Sequence, residues 1–333
     1  VRFLPFRIAV VFPESLILRS FSVIIEHFCA AVEFQRGITN FDVSLWYNMI
    51  EKEYREQIIM NTLFVSDLDG TLLTKEERVS EYSREHLNAL LAKGIRFTYA
   101  TARSVGSAAR ALQGLNISLP AVYYNGGLIY DRVTRETLRY NCFEEQLKSY
   151  VLSVLKEYGI MPFVYGATEQ REFVAWRSGF ESFGMKRYLV RRKGDDRLLA
   201  ASSDEELLGG YVFYFKCIGP KEQIERAWNF LKYDQRIICI FHQEMYQNDF
   251  WMEISPREAT KAKAVAYLKT LLGCEKLVCF GDTSNDSDMF DVCDEKYAVM
   301  NADDWLKEKA TGVIGYCEED GVAKWLDANA FRA

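Results

Sequence analysis

Residues 62–73 read Thr-Leu-Phe-Val-Ser-Asp-Leu-Asp-Gly-Thr-Leu-Leu. Leu63 to Ser66 is a short apolar run of the kind a buried strand requires. It ends on two carboxylates, Asp67 and Asp69, set two residues apart, and Gly70 supplies the backbone freedom for a bend that turns both toward one crevice. Taken alone, such a string could be a solvated turn. Following an apolar strand and leading into Leu72 and Leu73, it reads as a site.

Outward from this stretch, short runs rich in branched and aromatic residues alternate with helical patterns, as βα units require. The runs are Leu63 to Ser66, Ile95 to Ala100, Ala121 to Tyr124, Leu277 to Phe280 and Tyr297 to Met300. Between them, Ser83 to Lys93 and Ser104 to Leu112 predict helices, with Gly94 and Gly114 as stops. The pattern predicts an α/β protein with a Rossmann-like, doubly wound parallel sheet. Four of the strands finish on a polar residue: Asp67, Thr101, Asn125 and Asp282. Ligands of open α/β sheets bind beyond the carboxyl ends of the strands, so these four should converge although they are far apart in sequence.

The rhythm breaks between residues 143 and 250. There a helix from Glu144 to Tyr158, strands at Ile160 to Tyr165, Tyr211 to Ile218 and Ile237 to Phe241, and a helix from Lys221 to Leu231 predict an inserted α+β domain. Residues 191–206 are charged and read as a surface loop leading into a short helix. The core is then 60–142 together with 251–333. Residues 1–59 look unlike the rest, and Met60 would make a natural chain start. We expect this extension to be dispensable; the alternative is a helical segment that packs on the core or on a partner.

Composition narrows the classes further. A net charge of −6 offers no basic surface for a nucleic-acid backbone. Apolar stretches near the start, such as Ile8 to Phe12, are cut by Pro13 and Glu14, so neither a membrane span nor a signal peptide is expected, and a cytoplasmic location is. The eight cysteines show no zinc-ligand spacing and read as reduced thiols. With three histidines in no metal-binding pattern, the chemistry should rest on carboxylates.

Asp-Leu-Asp-Gly-Thr-Leu-Leu at 67–73 resembles the first motif of the haloacid dehalogenase (HAD) superfamily, and the resemblance runs from about Met60 to the C-terminus. Thr101 and Arg103 in YATAR resemble the second motif, Lys261 in TKAKAVAYL the third, and Gly281 to Asp286 in GDTSNDSDM the fourth. The order is similar to the Cof-like phosphatase branch with its class IIB cap, inserted between the second and third motifs. Tyr124 to Gly127 resembles the loop that precedes that cap. Ala262 stands where the family usually has glycine, and Lys263 lies two residues on; Lys261 is preferred because Ala264 and Val265 then take the small and apolar positions that follow.

The resemblance implies a Mg²⁺-dependent phosphomonoester hydrolase in which Asp67 is the nucleophile and forms an aspartyl-phosphate, Asp69 is the acid and base, and Lys261 balances charge. Asp67, the Asp69 main-chain carbonyl and Asp282 would hold the metal, with Asp286 beside them, directly or through water. Thr101, Arg103, Asn125, Gly126 and Asn285 are the phosphate-binding candidates. Thr101 could instead be a helix N-cap, and Arg103 could only hold its loop. Asp288 and Asp291 read as a solvated acidic face. The partner would be a small phosphorylated metabolite, either a sugar phosphate or a flat cofactor such as FMN or pyridoxal phosphate stacked on cap aromatics; those aromatics could equally be core. A phosphomutase, or a non-catalytic phospho-ligand binding protein on the same fold, are the alternatives. Oligomeric state is not legible.

Overall fold

The structure, a computed structural model, describes residues 61–243 and 249–331. The expectations for residues 1–59 lie outside the described residues. The chain begins with β1 (Thr62–Ser66), α1 (Glu81–Ala92), β2 (Arg96–Tyr99), α2 (Val105–Ala111), β3 (Ala121–Tyr123), β4 (Leu128–Asp131) and β5 (Glu136–Tyr140). The insert follows as α3 (Glu145–Glu157), β6 (Phe163–Ala167), β7 (Glu172–Arg177), α4 (Phe183–Arg191), β8 (Leu198–Ala201), α5 (Asp204–Leu207), β9 (Tyr211–Gly219), α6 (Lys221–Leu231), β10 (Ile237–Gln243) and β11 (Phe250–Pro256). It closes with α7 (Lys261–Leu271), β12 (Lys276–Gly281), α8 (Ser287–Val292), β13 (Glu295–Val299), α9 (Asp304–Lys309), β14 (Gly312–Ile314) and α10 (Gly321–Asn329).

The core is a five-stranded parallel sheet in the order β14-β13-β12-β1-β2. β1 lies inside it, paired with β12 and β2, and every one of its residues is buried. That is why the run reads as continuously apolar rather than alternating. α1 starts where the Ser80 hydroxyl accepts the Ser83 N–H, and it buries Leu87 and Leu90. It stops at Gly94, whose φ of +92° lets the chain reverse while the Ile95 N–H returns to the Leu90 carbonyl.

β3 departs from expectation. It touches the parallel sheet only through one bridge, Ala100 to Val122, and opens an antiparallel sheet, β3-β4-β5, that leads toward the insert. The insert is a six-stranded mixed sheet, β10-β11-β9-β6-β7-β8. One face packs under α3 and α6 through Val151, Leu155, Ile224, Leu231 and Phe215. The other presents Phe163, Tyr165 and Phe213 to the core domain, where Phe213 stacks on Tyr124 at a centroid distance of 5.0 Å. β9 is thus packed on both sides, as the apolar run Tyr211 to Phe215 requires.

Three local expectations are corrected. β11 pairs with β9 and β10, so the cap sheet runs on to Pro256 rather than ending at residue 250. The 191–206 stretch contains β8, a short and mostly half-exposed edge strand whose neighbouring charges hid it. Cys279 and Cys293 are joined by a disulfide, tying β12 to the end of α8; the sequence shows no pairing because β12 and α8 meet only when the chain folds back. Cys142, Cys217, Cys239, Cys274 and Cys317 are free.

Gly126 fixes how the cap-proximal loop meets α7. Its φ is +104°, and a Cβ there would lie 2.2 Å from the Thr260 carbonyl oxygen. Thr260 caps α7 by accepting the Lys263 N–H, so the clash would fall on the turn that aims Lys261. Gly126→Ala should therefore lower stability by about 2 kcal/mol or more. Urea unfolding checks this; an unchanged midpoint would contradict the close approach.

Candidate functional site

Asp67 leaves β1 with its N–H donated to the Phe280 carbonyl of β12, which holds the two strand ends in register. Its carboxyl is buried, and its Oδ1 accepts from the Lys261 ammonium at 2.6 Å. The same ammonium donates to Asp286 Oδ1 at 2.7 Å. Asp286 Oδ2 in turn accepts the Asp282 N–H at 3.0 Å and the Thr283 N–H at 3.4 Å. A three-member carboxylate group results: Asp67, Asp282 and Asp286 each place an oxygen within 4.8 Å of the others'. Lys261 is fully buried among them, whereas Lys263 is at the surface on Glu258, so the side chain that reaches the site is that of Lys261.

Two glycines make this packing possible. Gly70 turns the chain with φ +77°, and a Cβ there would meet Asp282 Oδ2 at 2.1 Å; at Gly281 a Cβ would sit 2.7 Å from the Asp286 side chain. Both close approaches need a residue without a side chain.

The electrostatics suit a divalent cation. Three carboxylates and one ammonium leave a formal charge of −2 in a buried space. Burial pushes the Asp67 carboxyl well above its ordinary range, against the pull of Lys261 and with help from Asp286 and Asp282. Burial alone would lower the Lys261 pKa, but Asp286 and Asp67 hold it above the usual lysine value. Asp282 is pushed up to about 7, by burial first and then by Asp286. Its Oδ1 is buried without any hydrogen-bond partner. An orphaned carboxylate oxygen beside two further carboxylates is the donor set that Mg²⁺ takes. Asp67, Asp282 and Asp286 are the carboxylates that would hold it; Asp286 also binds Lys261 and the Asp282 main chain.

The remaining candidates are arranged around this group. Thr101 is fully buried; its hydroxyl accepts the Arg103 N–H at 3.1 Å and its carbonyl accepts the Asn125 N–H at 2.9 Å. The cap of α2 is Ser104, which accepts the Ser107 N–H, so Thr101 is not the N-cap. Tyr124, Asn125 and Gly126 all have positive φ, a run that turns the loop sharply and leaves Asn125 Oδ1 buried without a partner. Asn285 accepts from the Thr283 hydroxyl at 2.7 Å. Arg103 is engaged by carboxylates: it forks onto Asp69 at 2.5 and 2.8 Å and reaches Glu77 at 3.0 Å. Asp69 is half exposed in that pairing, outside the buried group. Asp288 meets the Ala262 N–H at 3.4 Å, and Asp291 pairs with Lys309.

Sequence reading missed Asn301. Its side-chain amide donates to the Gly70 carbonyl at 2.7 Å while its Oδ1 accepts the Cys317 N–H, so it holds the loop after Asp67 from β13's end. The signal was present, since Asn301 is the polar residue that follows a fifth apolar strand. A cleft of about 1060 Å³ between core and cap runs from Lys261, Asn285 and Asn125 to Tyr165, Tyr214 and Lys216 of the cap sheet. Several cap aromatics are core: Phe163, Phe173, Phe213 and Phe215 are buried, and Phe180 and Phe183 are exposed away from the cleft lining. Among the described residues, no helix is long and apolar enough to cross a membrane.

The haloacid dehalogenase-like hydrolase family model matches residues 64–326. Among curated relatives, the 5-amino-6-(5-phospho-D-ribitylamino)uracil phosphatase YwtE of Bacillus subtilis is 28% identical over 293 residues, covering 78% of this chain and 95% of its own. The HMP-PP phosphatase of Serratia proteamaculans is 26% identical over 281 residues, covering 80% and 94%. The fold is similar to that of the Thermotoga maritima protein TM0651, with a TM-score of 0.67 at 21% identity over 80% of this chain and 96% of the other.

Two outcomes follow from the buried charges. Lys261→Met strands carboxylates without a counter-ion and should cost about 3–5 kcal/mol, whereas Lys263→Met should change stability by less than about 0.5 kcal/mol. Denaturant unfolding of the two proteins checks this, and equal losses would be inconsistent with Lys261 as the shared cation. Asp282 releases its proton near pH 4 when unfolded but is pushed up to about 7 when folded. Its contribution to stability is therefore complete below about pH 4 and is lost as the pH rises through about 7 in the folded state. In metal-free protein, Asp282→Asn should flatten that part of the pH profile, and Mg²⁺ should raise the melting temperature more at about pH 8 than at about pH 5.5. Parallel profiles for the two proteins would show that Asp282 is not the titrating group.

Proposed function

Because the chain belongs to the haloacid dehalogenase-like hydrolase family, we propose that it is a Mg²⁺-dependent phosphatase that takes the phosphoryl group of a small phosphorylated metabolite onto Asp67. The observation that supports this most is the Lys261 ammonium bonded at once to Asp67 and Asp286 beside the orphaned oxygen of Asp282. Lys261 binds Asp67 Oδ1 beside the position from which an Asp67 oxygen would attack phosphorus in line with the leaving oxygen. The acyl-phosphate so formed divides one difficult hydrolysis into two easier steps. A bound Mg²⁺ would neutralise the phosphoryl oxygens that otherwise repel the carboxylate.

Asp69 would give a proton to the leaving oxygen and then take one from the attacking water. Its carboxylate must first exchange at least one of its Arg103 contacts, so Arg103 acts as the holder of the resting position. Thr101 and Asn125 meet through the backbone bond between their loops, and the hydroxyl of the first and the side-chain NH2 of the second are the donors that would receive phosphoryl oxygens. YwtE, by its name, acts on a phosphorylated ribitylaminouracil. A flat ring carried on a polyol phosphate is accordingly one substrate form for this cleft, and Tyr165 and Tyr214 are the cleft aromatics available to it.

Asp67→Asn should abolish phosphate release while leaving the unfolding transition in place, because an amide is a poor nucleophile. Excess chelator should do the same to the unmodified protein, with recovery on adding Mg²⁺. Phosphate release from p-nitrophenyl phosphate and from a panel of sugar phosphates, FMN and pyridoxal phosphate is the measurement. Turnover that survives in Asp67→Asn would sink the assignment.

A further inference from the structure

The cap wall of the cleft carries more positive charge than its own carboxylates use. Arg197 takes both oxygens of Asp195, at 2.9 and 2.6 Å. Arg192, just past the end of α4, is left with a single approach to the same Asp195 at 3.6 Å, beyond hydrogen-bond distance. Arg192 also makes a cation–π contact, its Cζ 4.6 Å from the Tyr188 ring centroid. That contact consumes none of the five guanidinium N–H donors.

Lys216 of β9 stands in the same corner. Its ammonium is 5.9 Å from the Tyr188 ring and 4.5 Å from that of Trp251, and its one carboxylate partner is Glu253 at 2.8 Å. The side chain is almost wholly buried. Arg192, Arg197, Lys216, Asp195 and Glu253 all line the cleft that ends at Lys261. Among the described cap residues that line the cleft, these three cations face two carboxylates, one of which Arg197 has saturated. Glu172, outside the lining, has Arg197 rather than Arg192 or Lys216 among its main electrostatic partners. Once a substrate displaces water from this corner, the surplus charge is costly unless the substrate brings an anion of its own. A neutral sugar hydroxyl would leave it uncompensated.

We propose that Arg192 and Lys216 form a second anion subsite in the cap, so that the preferred substrate bears a negatively charged group on the part that leaves, in addition to the phosphate that is hydrolysed. This rests on the phosphatase reading above. The group recognised is a carboxylate or a second phosphate, either of which Arg192 can receive with two parallel N–H donors while Lys216 adds a point charge. Residues of the core then select the phosphate that reacts, and the cap selects the far end.

The test uses matched pairs that differ only in that group: sorbitol 6-phosphate against 6-phosphogluconate, glycerol 3-phosphate against 3-phosphoglycerate, and fructose 6-phosphate against fructose 1,6-bisphosphate. The first two pairs read a carboxylate and the third a second phosphate. In at least one pair, kcat/KM for the anion-bearing member should be about tenfold higher or more, mainly through KM. Arg192→Gln and Lys216→Met should each reduce that ratio by about tenfold, and Arg192→Lys should keep part of it. Equal use of both members in every pair, or a ratio that neither variant changes, would overturn the subsite. Hydrolysis of p-nitrophenyl phosphate that is lost in Asp67→Asn serves as the control for the underlying reading. If that control holds and the preference is absent, only the subsite fails; if no phosphoester is hydrolysed, both fail together.

Discussion

The Lys261 ammonium shared by Asp67 and Asp286 is the contact around which the core domain is organised. An ammonium buried without partners would lose its proton or unfold the protein, and three carboxyls buried together would not ionise. Placed within hydrogen-bond distance, Asp286 and Asp67 hold the Lys261 proton, and Lys261 in turn opposes the rise that burial imposes on Asp67. The arrangement joins three separate pieces of chain: the end of β1, the start of α7 and the turn before α8. It stays short of neutrality by two charges, which is why the same constellation that stabilises the fold also has room for a divalent cation.

Much of the surrounding backbone serves that contact. Gly70 and Gly281 lack the side chains that would push Asp282 and Asp286 away. Asn301 holds the loop after Asp67 from beyond the end of β13, two strands away, and Asp286 receives the N–H groups of Asp282 and Thr283. The cap is tied to this region by lighter contacts. Glu172 of the cap accepts the Val105 N–H of the core at 3.0 Å, and Arg197 donates to the Tyr124 hydroxyl at 3.3 Å. Burial raises the Glu172 pKa, so the latch is made of polar bonds in a partly dry seam. Such bonds can be exchanged at modest cost, as a cap that admits and encloses a substrate requires.

Function is divided along the same line. The buried carboxylates, with their lysine, define a reaction and say little about what leaves. The cleft beyond them, with tyrosines stacked beside Lys216 and Arg192, is where the proposed selectivity would lie. Asp69 connects the two regions, since its resting partner Arg103 lines the cleft while its position in the loop is next to Asp67.

By itself the sequence determined the parallel α/β core, the inserted cap and the family, because apolar runs of strand length and the residues at their ends are local patterns that survive in one dimension. β1 could be read as a central strand since all its side chains are buried, and Asp67 and Asp282 could be chosen since both close such strands. Other features were decided only in three dimensions. β8 and β11 were missed because half-exposed, short or late strands carry weak periodicity and acquire their state from the partner they pair with. The Cys279–Cys293 bond, the engagement of Arg103 by Asp69 and the surplus charge at Arg192 depend on distances between residues far apart in the chain or on opposite sides of a turn. Spacing along a sequence says which groups exist; whether a charge is paired, buried or left with donors to spare is a property of the packed structure alone.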